Sequence, residues 1–198
     1  MYNIREGMTI MYPMQLRKVS SALALASLLG VGAALLAPAP AHAGSTPTNL
    51  AVTANIAANC TISTTAVAFG AYDPVVVNAA TALNGTGTVT IGCTKGSAPN
   101  ITLGLGANAS GSQRNMLNGA NTDVLGYQLY QPPNNTPGTA CPAVAGGTVW
   151  GTTGANIFTP TVPASKNTRA YNICGVVSAG QDVSVGSYSD TVVATVNF

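Results

Sequence analysis

Apolar and polar residues alternate along the chain in short runs, and the longest run begins at Leu50. Residues 50–62 alternate with a period of two over thirteen positions, which is the repeat of a β-strand. Ordinary strands have about five or six residues, so this run predicts either one long edge strand or two elements in succession. The apolar positions of the run are Leu50, Val52, Ala54, Ile56, Ala58, Cys60 and Ile62.

Shorter runs with the same repeat follow, separated by clusters of Gly, Asn and Pro that are typical of turns. No stretch after residue 43 combines an apolar stripe of helical spacing with helix caps. We therefore predict an all-β fold, built as a sandwich from short strands. The predicted strands lie near 66–74, 87–94, 100–106, 123–130, 149–151, 171–177 and 186–198, and the third of them should turn Ile101, Leu103 and Leu105 inward.

The last predicted strand, 186–198, runs to the final residue of the sequence. No hydrophobic run follows it, so we expect its edge to border an apolar groove that its own chain does not cover. An edge of this kind needs a partner. The alternating segment near residue 50 of one molecule could pair with the open edge of the last strand in another molecule and cover its groove. The inward face of this strand is predicted to carry Tyr188, Val192, Ala194, Val196 and Phe198.

The first 43 residues have the features of a secretory signal peptide. The basic pair Arg17-Lys18 precedes an uncharged apolar run at 19–36, and Ala41-His42-Ala43 has the small-x-small pattern of a cleavage site. The run is long enough to be weighed as a membrane anchor, but its Ala, Ser and Gly content and the cleavage pattern favour removal. We therefore predict that the protein is exported and that the mature chain starts at Gly44 and is not stably inserted in a membrane. Met14 is an alternative initiator.

Removal of this leader leaves 155 residues with a formal net charge of zero and with no His or Glu. A neutral chain offers no electrostatic footprint for nucleic acid or an anionic membrane. Without His, a Ser/His or Cys/His nucleophile pair is excluded, and we predict no enzyme, no catalytic residue, no cofactor and no metal site. Few surface charges suit a protein that covers much of its surface with copies of itself. The charged residues are Lys95, Arg114, Lys166, Arg169, Asp73, Asp123, Asp182 and Asp190.

All the cysteines follow the leader, which indicates two disulfides formed in an oxidising compartment. Three pairings of Cys60, Cys93, Cys141 and Cys174 are possible. We favour Cys60–Cys93, because both residues share the apolar phase of their strand-like runs. The second pair would then be Cys141–Cys174, which would clamp a Pro-rich loop at 131–142. Each bridge would close a loop of about 33 residues and stabilise the fold by about 3–4 kcal/mol.

Several short motifs, taken together, resemble the spore coat U domain family, which includes the archaic (Csu-type) chaperone–usher pilins. They cover nearly the whole mature chain, in order, behind a signal peptide. The resemblance implies an incomplete immunoglobulin-like β-sandwich that lacks its last strand and is completed by donor-strand exchange. The Cys60–Cys93 bridge matches the family, whereas Cys141–Cys174 looks like an addition. The motifs are Cys60-Thr-Ile, Phe69-Gly-x-Tyr72-Asp73, Val89-x-Ile91-x-Cys93, Arg114-Asn-Met116, Leu125-x-Tyr127-x-Leu129-Tyr130, Gly180-Gln181, Gly186-x-Tyr188-x-Asp190-Thr191 and the ending Ala194–Phe198.

The resemblance also implies a division of the chain and a set of partners. Residues 44–57 would be the donor strand and residues 58–198 the pilin domain. The implied partners are copies of the chain or sister pilins, a periplasmic chaperone that fills the gap before assembly, and an outer-membrane usher. The side chains implied to enter a neighbour's groove are Leu50, Val52, Ala54 and Ile56, and the C-terminal edge strand implied to act in assembly carries Val192, Ala194, Val196 and Phe198.

The function implied in this way is that of a structural subunit of an archaic chaperone–usher pilus. It would pass through the periplasm and end in an extracellular fimbrium that serves adhesion and biofilm formation. A non-fibrous secreted coat or matrix protein on the same fold is the alternative. A secreted carbohydrate-binding module is disfavoured, because aromatic residues make up 6% of the chain. A fibre subunit needs a spare donor segment, whereas a binding module does not.

Overall fold

The computed structural model describes residues 43–143 and 146–198, and their regular secondary structure consists of β-strands and a short 3-10 helix at Gly154–Asn156. The prediction of an all-β fold is therefore confirmed. The predicted signal peptide lies outside the described residues apart from Ala43, and it stays a prediction. The strands are β1 (Cys60–Ala68), β2 (Leu83–Cys93), β3 (Asn100–Leu103), β4 (Arg114–Asn118), β5 (Val124–Tyr130), β6 (Arg169–Val177), β7 (Tyr188–Ser189) and β8 (Ala194–Asn197).

The strands form two antiparallel sheets that share one core. The larger sheet has the order β1-β2-β6-β5-β4-β7, and the smaller sheet pairs β3 with β8. Because side chains alternate between the two faces of a strand, each strand of the core turns every second residue inward. These inward residues meet in a single cluster that includes Val89, Ile91, Ile101, Leu103, Leu125, Tyr127, Leu129, Tyr171, Ile173 and Val177.

The two disulfides join the pairs favoured from the sequence. Cys60 and Cys93 lie directly opposite each other in β1 and β2, with their Cα atoms 4.1 Å apart. Cys141, in the loop after β5, is bonded to Cys174 in β6, with Cα atoms 5.5 Å apart. The first bridge fixes the start of β1 against its neighbour at the edge of the larger sheet.

Arg114, at the start of β4, is fully buried and links the two sheets. Its guanidinium donates hydrogen bonds to the carbonyl oxygens of Leu103 at 3.3 Å and Gly104 at 2.7 and 3.1 Å, at the end of β3. It also donates to the carbonyl oxygen of Trp150 at 2.6 Å and to Oε1 of Gln128 on β5. Burial lowers the pKa of Arg114, whereas the nearby Tyr127 and Asp190 raise it. The buried charge is thus compensated by backbone and side-chain acceptors on three elements.

The alternating run that begins at Leu50 does not form one long strand. Residues 43–59 have no strand assignment, and β1 begins at Cys60, so the run consists of two elements in succession. β1 then continues to Ala68 and shifts its register against β2 between Thr65 and Ala68. The strand predicted at 66–74 is therefore not a separate element: residues 66–68 are the end of β1, and residues 69–73 have no strand assignment.

The last predicted strand is interrupted. β7 ends at Ser189, β8 begins at Ala194, and the residues between them belong to neither strand. Phe198, predicted to face inward, is 54% exposed because it lies beyond the last β3–β8 pair, Asn100 with Asn197. The single-strand prediction was wrong here because period-two alternation does not reveal where a strand loses its partner.

Two smaller predictions also need correction. Leu105, predicted to face inward, is 42% exposed, because the chain leaves β3 at Leu103 and turns at Gly106, where φ is +99°. The strand predicted at 149–151 is reduced to an isolated bridge between Tyr130 and Val149. Both errors come from short runs in which a few apolar residues imitate a strand.

Candidate functional site: a groove between two sheet edges

Two sheet edges border a common groove. β1 is the outermost strand of the larger sheet and pairs on one side with β2, while β8 pairs on one side with β3. Within the described residues, neither β1 nor β8 has a strand on its other side. The N–H and C=O groups along such edges can pair with another extended segment.

Two adjoining recesses lie beside these edges, between the later part of β1 and residues 183–194, a segment that contains β7 and reaches the start of β8. The first has a volume of about 730 Å³ and lies between residues 67–72 and residues 183–188. The second has a volume of about 310 Å³ and lies between residues 64–69 and residues 188–194. Both recesses share a boundary, here called the neck, and its side chains are Val67, Phe69, Met116 and Tyr188.

The floor of the groove is apolar. It is made by inward-facing side chains of the core and by partly buried residues that pack against them. The first recess is lined by Leu83, Leu125, Val177 and Val183, and the second by Leu103, Leu129, Ile173, Val192 and Ala194. An open apolar floor between two unpaired edges is therefore suited to binding an extended segment with apolar side chains on one face.

The two walls of the groove run in opposite directions. From the second recess to the first, residue numbers rise along the β1 wall, from Thr64 to Tyr72. Over the same distance they fall along the other wall, from Ala194 to Val183. A segment placed between the walls must therefore be parallel to one of them and antiparallel to the other.

Asp190 is a charged residue in the wall of the second recess, and its carboxylate is already hydrogen-bonded. The hydroxyl of Tyr127 donates to Oδ2 at 2.7 Å, and the backbone and side-chain amides of Asn108 each donate to Oδ1 at 3.1 Å. Burial, followed by the hydrogen bond from Tyr127 to Asp190, raises the pKa of Tyr127. With this carboxylate engaged by its own chain, the recess offers apolar surface and backbone groups to a ligand.

The end of β1 lies unusually close to the strands beneath it. A Cβ atom at Gly87 would be 2.8 Å from Cγ2 of Val67, and one at Gly85 would be 2.8 Å from Cδ1 of Phe69. At Gly175, on β6, a Cβ atom would be 2.7 Å from Cγ1 of Val67 and 2.8 Å from Cζ of Phe69. Glycine at these three positions lets Val67 of β1, and Phe69 just after it, rest directly on the backbone of β2 and β6.

The predicted donor residues are exposed in the chain that carries them. Leu50 is 86% exposed, Val52 87% and Ile56 81%, and Ala54 is exposed as well. The backbone meets Thr94 just before β1: the carbonyl of Ala57 accepts from Oγ1 of Thr94 at 3.5 Å, the Asn59 N–H donates to the same oxygen at 3.1 Å, and the Asn59 carbonyl accepts from the Thr94 N–H at 2.9 Å. An exposed apolar stripe of this kind usually marks a binding surface.

The predicted C-terminal edge residues divide into two groups. Val192 and Ala194 line the second recess, and Val196 packs against the core. Phe198 lies outside β8 and outside both recesses. Sequence reasoning did not identify the β1 wall or the neck. The glycines at alternate positions of β2, Gly85 and Gly87, were the available signal, because glycine inside a strand often marks a close backbone approach.

Among residues 43–143 and 146–198, no group of three or more His, Cys, Asp or Glu side chains could hold a metal ion. In the same part of the chain, no helix is long and apolar enough to cross a membrane.

The family model and a sequence relative agree on one family. The family model of the Spore Coat Protein U domain matches residues 46–195. Protein U of Myxococcus xanthus is 38% identical over 184 residues, covering 84% of this chain and 92% of that protein. Among solved structures, the crystal structure of the CsuC–CsuE chaperone–tip adhesion subunit pre-assembly complex from archaic chaperone–usher Csu pili of Acinetobacter baumannii matches with a TM-score of 0.49 and 19% identity. That match covers 72% of this chain and 40% of the chain in the complex.

Proposed function

The chain belongs to the Spore Coat Protein U domain family, and we propose that it is a structural subunit of an archaic chaperone–usher pilus. In this proposal each copy donates residues 44–57 to the groove of the next copy. The observation that carries the proposal is the apolar groove beside the unpaired edges of β1 and β8, between residues 64–72 and residues 183–194. The same chain also carries an exposed segment with the alternation that such a groove would bind.

The donor segment and the groove are complementary in length and chemistry. Seven residues from Leu50 to Ile56 extend over about 23 Å in a strand, which is comparable with the β1 wall from Thr64 to Tyr72. Neither the donor segment nor the floor of the groove is charged. Alternation would direct the apolar face inward and would leave Ala51, Thr53 and Asn55 facing solvent. Burial of Leu50, Val52 and Ile56 would stabilise the junction by about 1.5–3 kcal/mol for each side chain.

The positions of the groove and of the donor segment favour one direction of insertion. β1 and β8 are in contact, and the recesses lie along the later part of β1. In the acceptor, the chain's own donor segment is joined to the start of β1. In the donor copy, the folded domain begins at Cys60, only four residues after Ile56. If Ile56 lay near the start of the acceptor's β1, two donor connections would crowd one end of the acceptor. We therefore place the donor parallel to β1, with Ile56 in the first recess.

This assembly requires protection of the groove before polymerisation. An open apolar groove with two free edges would aggregate, so we propose that a periplasmic chaperone fills it temporarily and that an outer-membrane usher exchanges the chaperone for the next donor. The mature subunit would then reside in an extracellular fimbrium that serves adhesion and biofilm formation. The role is structural, and we propose no catalytic activity and no cofactor.

The test is the stability of the exported protein in cold SDS. A donor-strand polymer should run as a ladder without boiling and collapse to a monomer after boiling. Deletion of residues 44–57 should abolish the ladder, whereas deletion of residues 46–48, which lie before the alternating face, should preserve it. A monomer in cold SDS that is unaffected by either deletion would contradict the proposal and favour a non-fibrous coat or matrix protein.

A further inference from the structure

The neck between the two recesses has a fixed floor. Phe69 lines both recesses, and its ring rests on the backbone at Gly85 and Gly175. A Cβ atom at either glycine would already be 2.8 Å from the ring, so the ring is seated as deeply as the sheet permits. The ring also meets Tyr127 edge to face, with centroids 6.0 Å apart and planes inclined by 63°. The Phe69 ring therefore cannot move towards the sheet to make room for a larger side chain above it. This raised, fixed surface is here called the step.

The donor segment has one small residue on its apolar face. Ala54 lies between Val52 and Ile56, and alternate residues of a strand are about 6.6 Å apart along its axis. If Ala54 lies over the step, its two neighbours on that face fall on opposite sides of the neck, one in each recess. A slip by two residues in either direction would place Val52 or Ile56 over the step and would leave Ala54 in a recess.

We propose that the step formed by Phe69 sets the register of the donor strand by accepting Ala54 and rejecting larger side chains at that position. This inference rests on the proposed function and adds to it the pairing of donor residues with recesses. Ile56 occupies the larger first recess, and Val52 and Leu50 occupy the second recess and its far end. The glycines under Phe69 act indirectly, because they set the height of the step.

The physical cost of violating this register is overpacking. Protein interiors are close-packed, so added carbon atoms above a seated ring force strained rotamers or a backbone shift. Neither response is easy at the neck, where Val67 is also seated on Gly87 and Gly175. A larger side chain at position 54 should therefore weaken the junction, although it is more hydrophobic and would strengthen a junction that had a void there.

The register can be measured with a donor-deficient acceptor and synthetic donors. The acceptor is the full mature chain with Val52→Asp, whose groove is unaltered, and the probes are peptides of residues 48–58. We expect the Ala54→Leu peptide to bind at least about tenfold more weakly than the native peptide. The Ala51→Leu peptide adds the same carbon atoms on the opposite face and should bind within about threefold of the native peptide. On an acceptor that also carries Phe69→Ala, the penalty for Ala54→Leu should fall below about threefold.

The outcomes separate the register from the proposed function. If the native peptide binds and the Ala54→Leu peptide binds equally or more tightly, the register is overturned while donor-strand binding stands. If the native peptide binds no better than a scrambled peptide, the proposed function itself fails. Should the Phe69→Ala acceptor not fold, single leucine substitutions at 52, 54 and 56, with the native Leu50 as the reference, still decide the question on the unaltered groove. A penalty confined to position 54 supports the step, and a penalty centred on another position refutes it.

Discussion

The hydroxyl of Tyr127 donates a hydrogen bond of 2.7 Å to Oδ2 of Asp190 across 63 residues of sequence. Tyr127 belongs to β5 of the larger sheet. Asp190 lies between β7 and β8, in the wall of the second recess. A Cβ atom at Gly106 would overlap Oδ2 of Asp190, so the carboxylate also needs a glycine beside it. The bond therefore holds one wall of the groove to the floor.

Replacement of Tyr127 by Phe should lower the free energy of unfolding by about 1.5–3 kcal/mol at neutral pH, because it leaves a carboxylate oxygen without its donor. Urea denaturation would measure the loss. Tyr130→Phe, on the opposite face of the same strand, is the matched control and should cost less than about 0.5 kcal/mol. Equal effects of the two substitutions would mean that the bond to Asp190 does not stabilise the wall.

The same bond predicts a dependence of stability on alkaline pH. The pKa of Tyr127 is raised above its ordinary value of 10.0, chiefly by burial and then by Asp190. As the pH rises above the ordinary pKa, the Tyr127 hydroxyl loses its proton in the unfolded chain before it does so in the folded chain. The stabilisation that is present at lower pH is therefore lost between the ordinary and the raised pKa. Tyr127→Phe should reduce this loss of stability at alkaline pH. The part of the loss that comes from Tyr171 should remain, because burial also raises the pKa of Tyr171. Urea midpoints at about pH 8 and about pH 11 would show the difference.

Replacement of Arg114 by Lys should destabilise the fold although the charge is kept. The guanidinium reaches acceptors on β3, β5 and the Trp150 loop at once, and an ammonium group with three donors cannot reproduce that geometry. We expect a loss of about 3–5 kcal/mol in thermal or urea unfolding. Arg169→Lys, at a partly exposed position, should cost less than about 1 kcal/mol. A similar loss at the two positions would contradict the linking role of Arg114.

Placement of Asp at position 52 should prevent fibre extension, because it would bury a carboxylate without a partner in the groove. The expected cost is about 3–5 kcal/mol for each junction. Thr53→Asp adds the same charge on the face that points to solvent and should leave the SDS-resistant ladder intact. Electron microscopy and cold SDS gels would compare the two variants. Fibres from the Val52→Asp protein would contradict the predicted inward face of the donor.

Attachment of residues 46–57 after Phe198 through a flexible linker should complete the fold within one chain. A tethered donor acts at an effective concentration of about 1 mM or more, and occupancy a thousand times above Kd stabilises by about 4 kcal/mol. The chain with its original donor removed and the tethered copy added should be monomeric in size-exclusion chromatography and melt at a higher temperature than the native-order monomer. Equal melting temperatures would mean that the sandwich is complete without a donor.

The exported protein should begin at Gly44. The small-x-small pattern at 41–43 after an apolar run predicts cleavage at this bond. Intact-mass measurement or N-terminal sequencing of material from the cell surface would check the site. Retention of any residue before Gly44 would contradict it.

The sequence by itself determined the features that depend on neighbours one or two residues apart. Alternation identified the all-β class and the apolar stripe from Leu50 to Ile56, because the period of a strand is a local property of the chain. The cysteine positions indicated which strands lie side by side, since Cys60 and Cys93 share the phase of the apolar residues around them. Neither inference required knowledge of how distant parts of the chain pack.

The tertiary structure decided where the groove lies and what shape it has. The pairing of β1 with β2 and of β8 with β3 leaves two edges open, and local alternation carries no information about which edge of a strand stays unpaired. The step at Phe69 depends on Gly175, more than a hundred positions further along the chain. Asp190, in the break between β7 and β8, is hydrogen-bonded to Tyr127, 63 positions earlier in the chain. Long-range contacts of this kind form only when the sheets assemble, so no short window of sequence contains them.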